Sequence, residues 1–170
     1  MLEKREKNTE TITQNAFVKN LCDLISKDPQ KDEISLKKGQ KLEPNNKLSL
    51  RKFFISNNDA IILKILINYF SAVKKVFPEE WIDTKDYILT KTVGFSGVIQ
   101  ALNIIVPIGE KNNQLTESFF ERIFEQLKED LKKEGKKLTI SDFPSNGAGT
   151  KDLTDMIIQS TNKVYVDNSY

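Results

Sequence analysis

A chain of 170 residues fits one domain and is long enough to bury about two thirds of the surface its unfolded form exposes, so neither a metal nor a disulfide is required to hold it. Its 26 Lys and Arg stand against 24 Asp and Glu, which leaves almost no global preference for nucleic acid or membrane, so only local clustering of charge matters. Histidine is absent and cysteine occurs once, at Cys22, which excludes Ser-His-Asp and Cys-His catalysis, an internal disulfide and Cys/His zinc sites.

Residues 1–12 are charged and polar and are expected to be disordered, and the alternating acids and bases from Met1 to Lys7 have no apolar run behind them, unlike a signal peptide. From Thr13, a natural N-cap, Phe17, Leu21, Leu24 and Ile25 recur at helical spacing until Pro29, which predicts a first amphipathic helix with Cys22 buried in its pattern. Residues 27–47 carry no sustained period and read as an exposed connection. Between Lys27 and Lys52 eight basic residues oppose four acidic ones, so this stretch is either a solvated linker or a basic arm for phosphates, with Arg51 and Lys52 among its contacts.

Ser56 and Asp59 have capping-box spacing ahead of the strongest pattern in the chain, residues 58–77. Ile61, Ile62, Ile65, Leu66, Tyr69, Phe70, Val73, Val76 and Phe77 trace a wide face, and Leu63 and Ile67 add apolar surface opposite it, so this helix is expected at the centre of the fold. Pro78 stops it, and Trp81 is expected to fold back over its end. The run 60–70 is broken by Lys64 and Asn68, short of the roughly 20 apolar residues of a membrane span. With no leader, no such span and an unpaired cysteine, a reducing, cytoplasmic setting is expected.

Residues 87–92 read equally as a short strand or a helix lead-in. Beyond Gly94, Phe95, Val98, Ile99, Leu102, Ile105 and Val106 predict a helix that Pro107 ends. Thr116 caps a further helix whose Phe119, Phe120, Ile123, Phe124, Leu127 and Leu131 form one face, with Gly135 at the C-cap position and Lys132 and Lys133 suiting the negative end of its dipole. After a Lys-rich turn, residues 138–143 read as a short strand, and a last helix carrying Leu153, Met156 and Ile157 inward starts near Thr150, ahead of a polar tail at 163–170.

Two strings join small residues, hydroxyls and a lysine at expected helix starts, where backbone N–H groups favour an anion. The first is Thr90, Lys91, Thr92, Val93 and Gly94; the second is Ser145, Asn146, Gly147, Ala148, Gly149, Thr150 and Lys151. Neither has P-loop spacing, and ordinary caps and tight turns use the same residues. The adjacent acids Glu79-Glu80 and Glu129-Asp130 point to different sides of a helix, so they converge on no substrate and no cofactor is expected.

The run Phe77-Pro78-Glu79-Glu80-Trp81, the string Tyr87-Ile88-Leu89-Thr90-Lys91-Thr92-Val93-Gly94 and the late Ser-Asn-Gly-Ala-Gly loop together resemble, over about residues 47–160, the C-terminal half of DGQHR-domain proteins. Those proteins are bacterial and phage-associated, and some accompany DNA phosphorothioation systems, where a relative is a DNA-binding regulator. The resemblance thus implies a link to DNA modification or defence. The Asp-Gly-Gln-His-Arg motif itself is absent here, and a chain without histidine holds no variant of it, so the chain looks like a detached helical half, either truncated or partnered by a protein carrying the missing part.

These readings converge on a mainly helical domain over residues 13–162, about five helices around the 58–77 helix with one or two short strands. The leading functional expectation is a non-enzymatic accessory module that contacts DNA or a partner protein through Lys91, Lys151 and the basic segment 37–52. A phosphate- or nucleotide-binding enzyme fragment using the two strings, and a plain protein-interaction domain, are the alternatives.

Overall fold

The computed structural model describes residues 12–166, so the disorder expected of residues 1–12 falls, apart from Ile12, outside the described residues, as does the end of the tail. Ile12 itself is held: its N–H donates to the Thr90 carbonyl at 3.1 Å. The described residues form eight helices and no strand. They are α1 (Gln14–Asp23), α2 (Pro29–Lys37), α3 (Arg51–Ile55), α4 (Asp59–Val76), α5 (Pro78–Ile82), α6 (Thr92–Lys111), α7 (Glu117–Lys133) and α8 (Gly147–Tyr165). The protein is therefore mainly helical. In place of the two expected strands there is a single antiparallel bridge, Tyr87 to Thr139, backed by the Ile88 N–H donating to the Leu138 carbonyl at 2.9 Å.

The helix at the centre is α6, not the 58–77 segment. Twelve of the 20 residues of α6 are buried, against six of 18 in α4. Leu63 and Ile67, expected to bury a second face of α4, are 59% and 55% exposed. The cause is packing partners: α6 lies against α1 and α8, whereas α4 is covered mainly by α7, with α8 against α7 closing the bundle. The α6 segment is long and apolar enough to cross a membrane by length and composition, a match the 60–70 run had obscured, although its apolar side chains are mostly buried within the fold. Tyr69 joins α4 to α6 by donating its hydroxyl to the Val98 carbonyl at 2.7 Å.

Pro107 does not end α6, which runs four residues further to Lys111. An interior proline costs about 3 kcal/mol in an isolated helix, but burial of Ile105 and Val106 before it and the close seating of Gly109 against Leu115 and Phe119 after it override that preference. Likewise Ser56 caps nothing: its hydroxyl bonds back to the Lys52 and Phe53 carbonyls, and Asn58 holds the N-cap position of α4 without a side-chain bond. Thr13 and Thr116 do cap α1 and α7, accepting from the Ala16 and Phe119 N–H groups. Cys22 is half-buried rather than buried, because α1 sinks only Asn20 fully.

The expected open linker at 27–47 contains α2 and is stapled to the fold. Arg51, buried, donates two bonds to the Asp32 carboxylate at 2.7 and 3.2 Å, one to the Ile25 carbonyl at 3.0 Å and one to the Glu43 carbonyl at 2.6 Å. Ser26 adds its hydroxyl to the same carboxylate at 2.5 Å. The Arg51 hydrogen bond is the largest influence on Asp32 and, against the opposing pull of burial, keeps its pKa below the usual carboxylate value. At the far end, α8 continues to Tyr165, whose ring stacks on Phe119 at 4.4 Å, so the tail assigned to 163–170 begins as helix.

Candidate anion-binding site

The chain enters α6 and α8 by the same device. In each, the third helical residue is a glycine pressed against the backbone that precedes the helix: a Cβ on Gly94 would lie 2.0 Å from the Ile88 carbonyl oxygen, and one on Gly149 would lie 2.0 Å from that of Pro144. No side chain fits there, so both glycines serve the close crossing of loop over helix rather than a ligand. The crossing folds the loop back so that the first turn of the helix faces outward at the mouth of a cleft.

The two mouths meet. Lys91, Thr92 and Val93 from the start of α6 and Ser145, Asn146, Gly147 and Thr150 from the start of α8 line one cleft of about 310 Å³. Lys91 occupies the N-cap position of α6 in extended conformation and offers no side-chain bond to the first turn, and Thr92 is the first helical residue. On the α8 side Asn146 is the cap, and its Oδ1 accepts from the Gly149 N–H at 3.0 Å. α8 thus starts at Gly147, three residues ahead of the expected Thr150, and the small-residue loop becomes its first turn. The positive ends of two helix dipoles converge on the cleft, with N–H groups of the first turn of α6 left unmatched by any side-chain cap.

Lys91 supplies the one formal charge among the lining residues. Its Nζ donates to the Lys85 carbonyl at 2.9 Å, a group outside the residues that line the cleft. The remaining groups are hydroxyls, an amide and backbone, so the cleft can hold an anion but offers no carboxylate or imidazole to move a proton.

The structure therefore brings together Lys91, Thr92, Ser145, Asn146, Gly147 and Thr150 and leaves the other candidates outside. Lys151, the fifth residue of α8, is exposed and does not line the cleft. Thr90 gives its carbonyl to Ile12, and its buried Oγ1 has no partner among the described residues. Arg51 is engaged in the staple described above, and Lys52 pairs with Glu110 while lying 5.0 Å over the Phe53 ring, so neither is free for a phosphate.

A second concavity, of about 330 Å³, lies where the end of α7 passes the bridge at Tyr87. Phe77, Leu131 and Leu138, each 4% exposed or less, are among its lining residues, together with Lys128, Lys132, Lys136, Lys137, Glu80 and Tyr87. Sequence reading passed over these lysines as a Lys-rich turn and helix-dipole partners. The signal was the density of lysine in residues 132–137, but only the fold shows that Tyr87 and Glu80 line the same concavity.

No family model matches the chain, and no curated protein or solved structure matches it significantly, so its own residues alone bear on the DGQHR resemblance.

Proposed function

We propose that this chain is a non-enzymatic helical binding module that holds a phosphate group in the α6/α8 cleft, and that a DNA backbone presents that phosphate. The observation that carries the reading is the meeting of two helix N-termini, with Lys91 at the cap of one of them, at one cleft built from strings far apart in sequence. Two dipole ends and a lysine attract an anion, and the absence of an acid or base from the lining favours holding over turnover. An accessory role beside a protein that carries the missing DGQHR part, as the resemblance implies, is compatible with such a module.

Titration of the protein with inorganic phosphate and with a short DNA duplex at two salt concentrations tests this. Lys91→Ala weakens both, and Lys151→Ala, which changes a lysine outside the cleft, leaves both within about twofold, since an exposed lysine contributes little to the fold. DNA affinity falls with salt by a logarithmic slope of about −0.9 for each phosphate neutralised. Equal affinity of wild type and Lys91→Ala for both probes, or no binding of either at low salt, would refute the reading.

A further inference from the structure

We infer that the open face of α4 is an interface between two copies of this chain, paired antiparallel about a two-fold axis that passes between Leu66 and Ile67. The helical period puts Asp59, Leu63, Leu66, Ile67, Phe70 and Lys74 on one stripe of α4. Leu63 and Ile67 are 59% and 55% exposed, Leu66 and Phe70 are half-buried beside them, and the charged residues at the two ends are exposed. The main cover of α4 is α7, which leaves Leu63 and Ile67 open to solvent.

The order of the stripe selects a second copy as its partner. The spacings along it, 4, 3, 1, 3 and 4 residues, read the same in both directions, with an acid at one end and a base at the other. Laid antiparallel on itself, the stripe sets Asp59 against Lys74 of the second copy, Leu63 against Phe70 and Leu66 against Ile67, and the two-fold axis repeats each match. A parallel copy would set acid on acid and base on base, which is repulsive at both ends. The dipole of α4 accounts for Asp59 in the first turn and Lys74 in the last, but not for four apolar side chains between them. Among the described residues neither Asp59 nor Lys74 has an ion pair or a side-chain hydrogen bond, so both are open to the second copy. Lys64 and Lys75, about three turns apart, lie on the flank toward α7, where Glu121 holds Lys75 at 2.6 Å. Residues 1–11 and 167–170 bring only Met1, Leu2 and Tyr170 as large apolar side chains, too few to cover the stripe.

Sedimentation equilibrium of the full chain tests the pairing. Wild type is expected to pass from monomer to dimer between about 1 and 100 µM, as suits a small interface. Asp59→Lys and Lys74→Asp each turn both charge pairs of the homodimer into like charges, and each is expected to weaken self-association on the order of tenfold. An equimolar mixture of the two variants regains both pairs in the heterodimer and is expected to associate within about threefold of wild type, a rescue that general damage to the fold cannot produce. Ile67→Glu, a change at an exposed position, is expected to leave monomer alone over the same range with helical circular dichroism intact. Lys91→Ala dimerises as wild type does, which separates this face from the α6/α8 cleft. Wild type that stays monomeric, whether or not it binds phosphatidylserine vesicles through this face, would overturn the inference. So would single variants that dimerise as wild type does, or a mixture that associates no better than its components.

Discussion

Replacing Asp130 measures how firmly α8 is clamped to α7. The Asp130 carboxylate is 5% exposed and accepts from Lys163 Nζ at 2.8 Å, from Ser160 Oγ at 2.9 Å and from Gln126 Nε2 at 3.0 Å. In Asp130→Ala the fully buried Ser160 hydroxyl loses its acceptor, at a cost of about 1–3 kcal/mol. Lys163, half exposed, regains water and adds at most about 1 kcal/mol. The net expectation is a loss of about 1–4 kcal/mol, read from urea unfolding at neutral pH. Burial pushes the Asp130 pKa up, but the bonds from Lys163, Ser160 and Gln126 together outweigh it, and the group sits below its ordinary value. A carboxyl depressed in the folded state stabilises above its unfolded pKa and loses that contribution as pH falls through the folded one. The gap between wild type and Asp130→Asn should therefore be full at neutral pH and shrink on the acid side of about pH 4. A loss below about 0.5 kcal/mol in Asp130→Ala, or a gap to Asp130→Asn that does not change on acidification, would refute the clamp.

Three further outcomes follow from the packing. Leu102→Ala in α6 should cost about 2–5 kcal/mol and Leu63→Ala in α4 below about 1 kcal/mol, because the first side chain is fully buried and the second is 59% exposed; chemical denaturation checks the order. Gly94→Ala and Gly149→Ala should each destabilise by more than about 2 kcal/mol although alanine is the better helix former, since the new Cβ meets carbonyl oxygen at 2.0 Å; a raised melting temperature in either variant would contradict the close crossing. Arg51→Ala should cost about 1–3 kcal/mol by leaving the partly exposed Asp32 carboxylate with the Ser26 hydroxyl alone and the Ile25 and Glu43 carbonyls without their donor, while leaving the salt dependence of DNA binding as in wild type; titration beside thermal melting separates the two effects.

Patterns that depend on near neighbours were legible in the sequence. The helical period of the segment that became α7 and its Thr116 cap are local features and appear as read, while the C-cap expected at Gly135 falls one residue earlier, on Glu134, with Gly135 following it at positive φ. The two anion strings were also legible as helix starts, since their residues are those that local backbone geometry favours at such turns. What misled was any feature whose outcome depends on a distant partner. Pro107 looks like a stop until burial of the surrounding helix outweighs its local cost. Leu63 and Ile67 look like core until α7 is seen to cover only one side of α4. Arg51 looks like a phosphate contact until Asp32, nineteen residues before it, is found within hydrogen-bond reach.

The sequence by itself thus determined the helical class and the chemical character of each turn, because both are written in residues a few positions apart. The tertiary structure alone decided which helix lies at the centre and that Lys91 and Asn146, more than fifty residues apart, share one cleft. The physical reason is that burial and charge convergence are properties of pairs of surfaces. A lysine carries the same charge in a linker, in a salt bridge or at the mouth of a cleft, and only the partner that folding brings to it distinguishes Arg51 and Lys52 from Lys91.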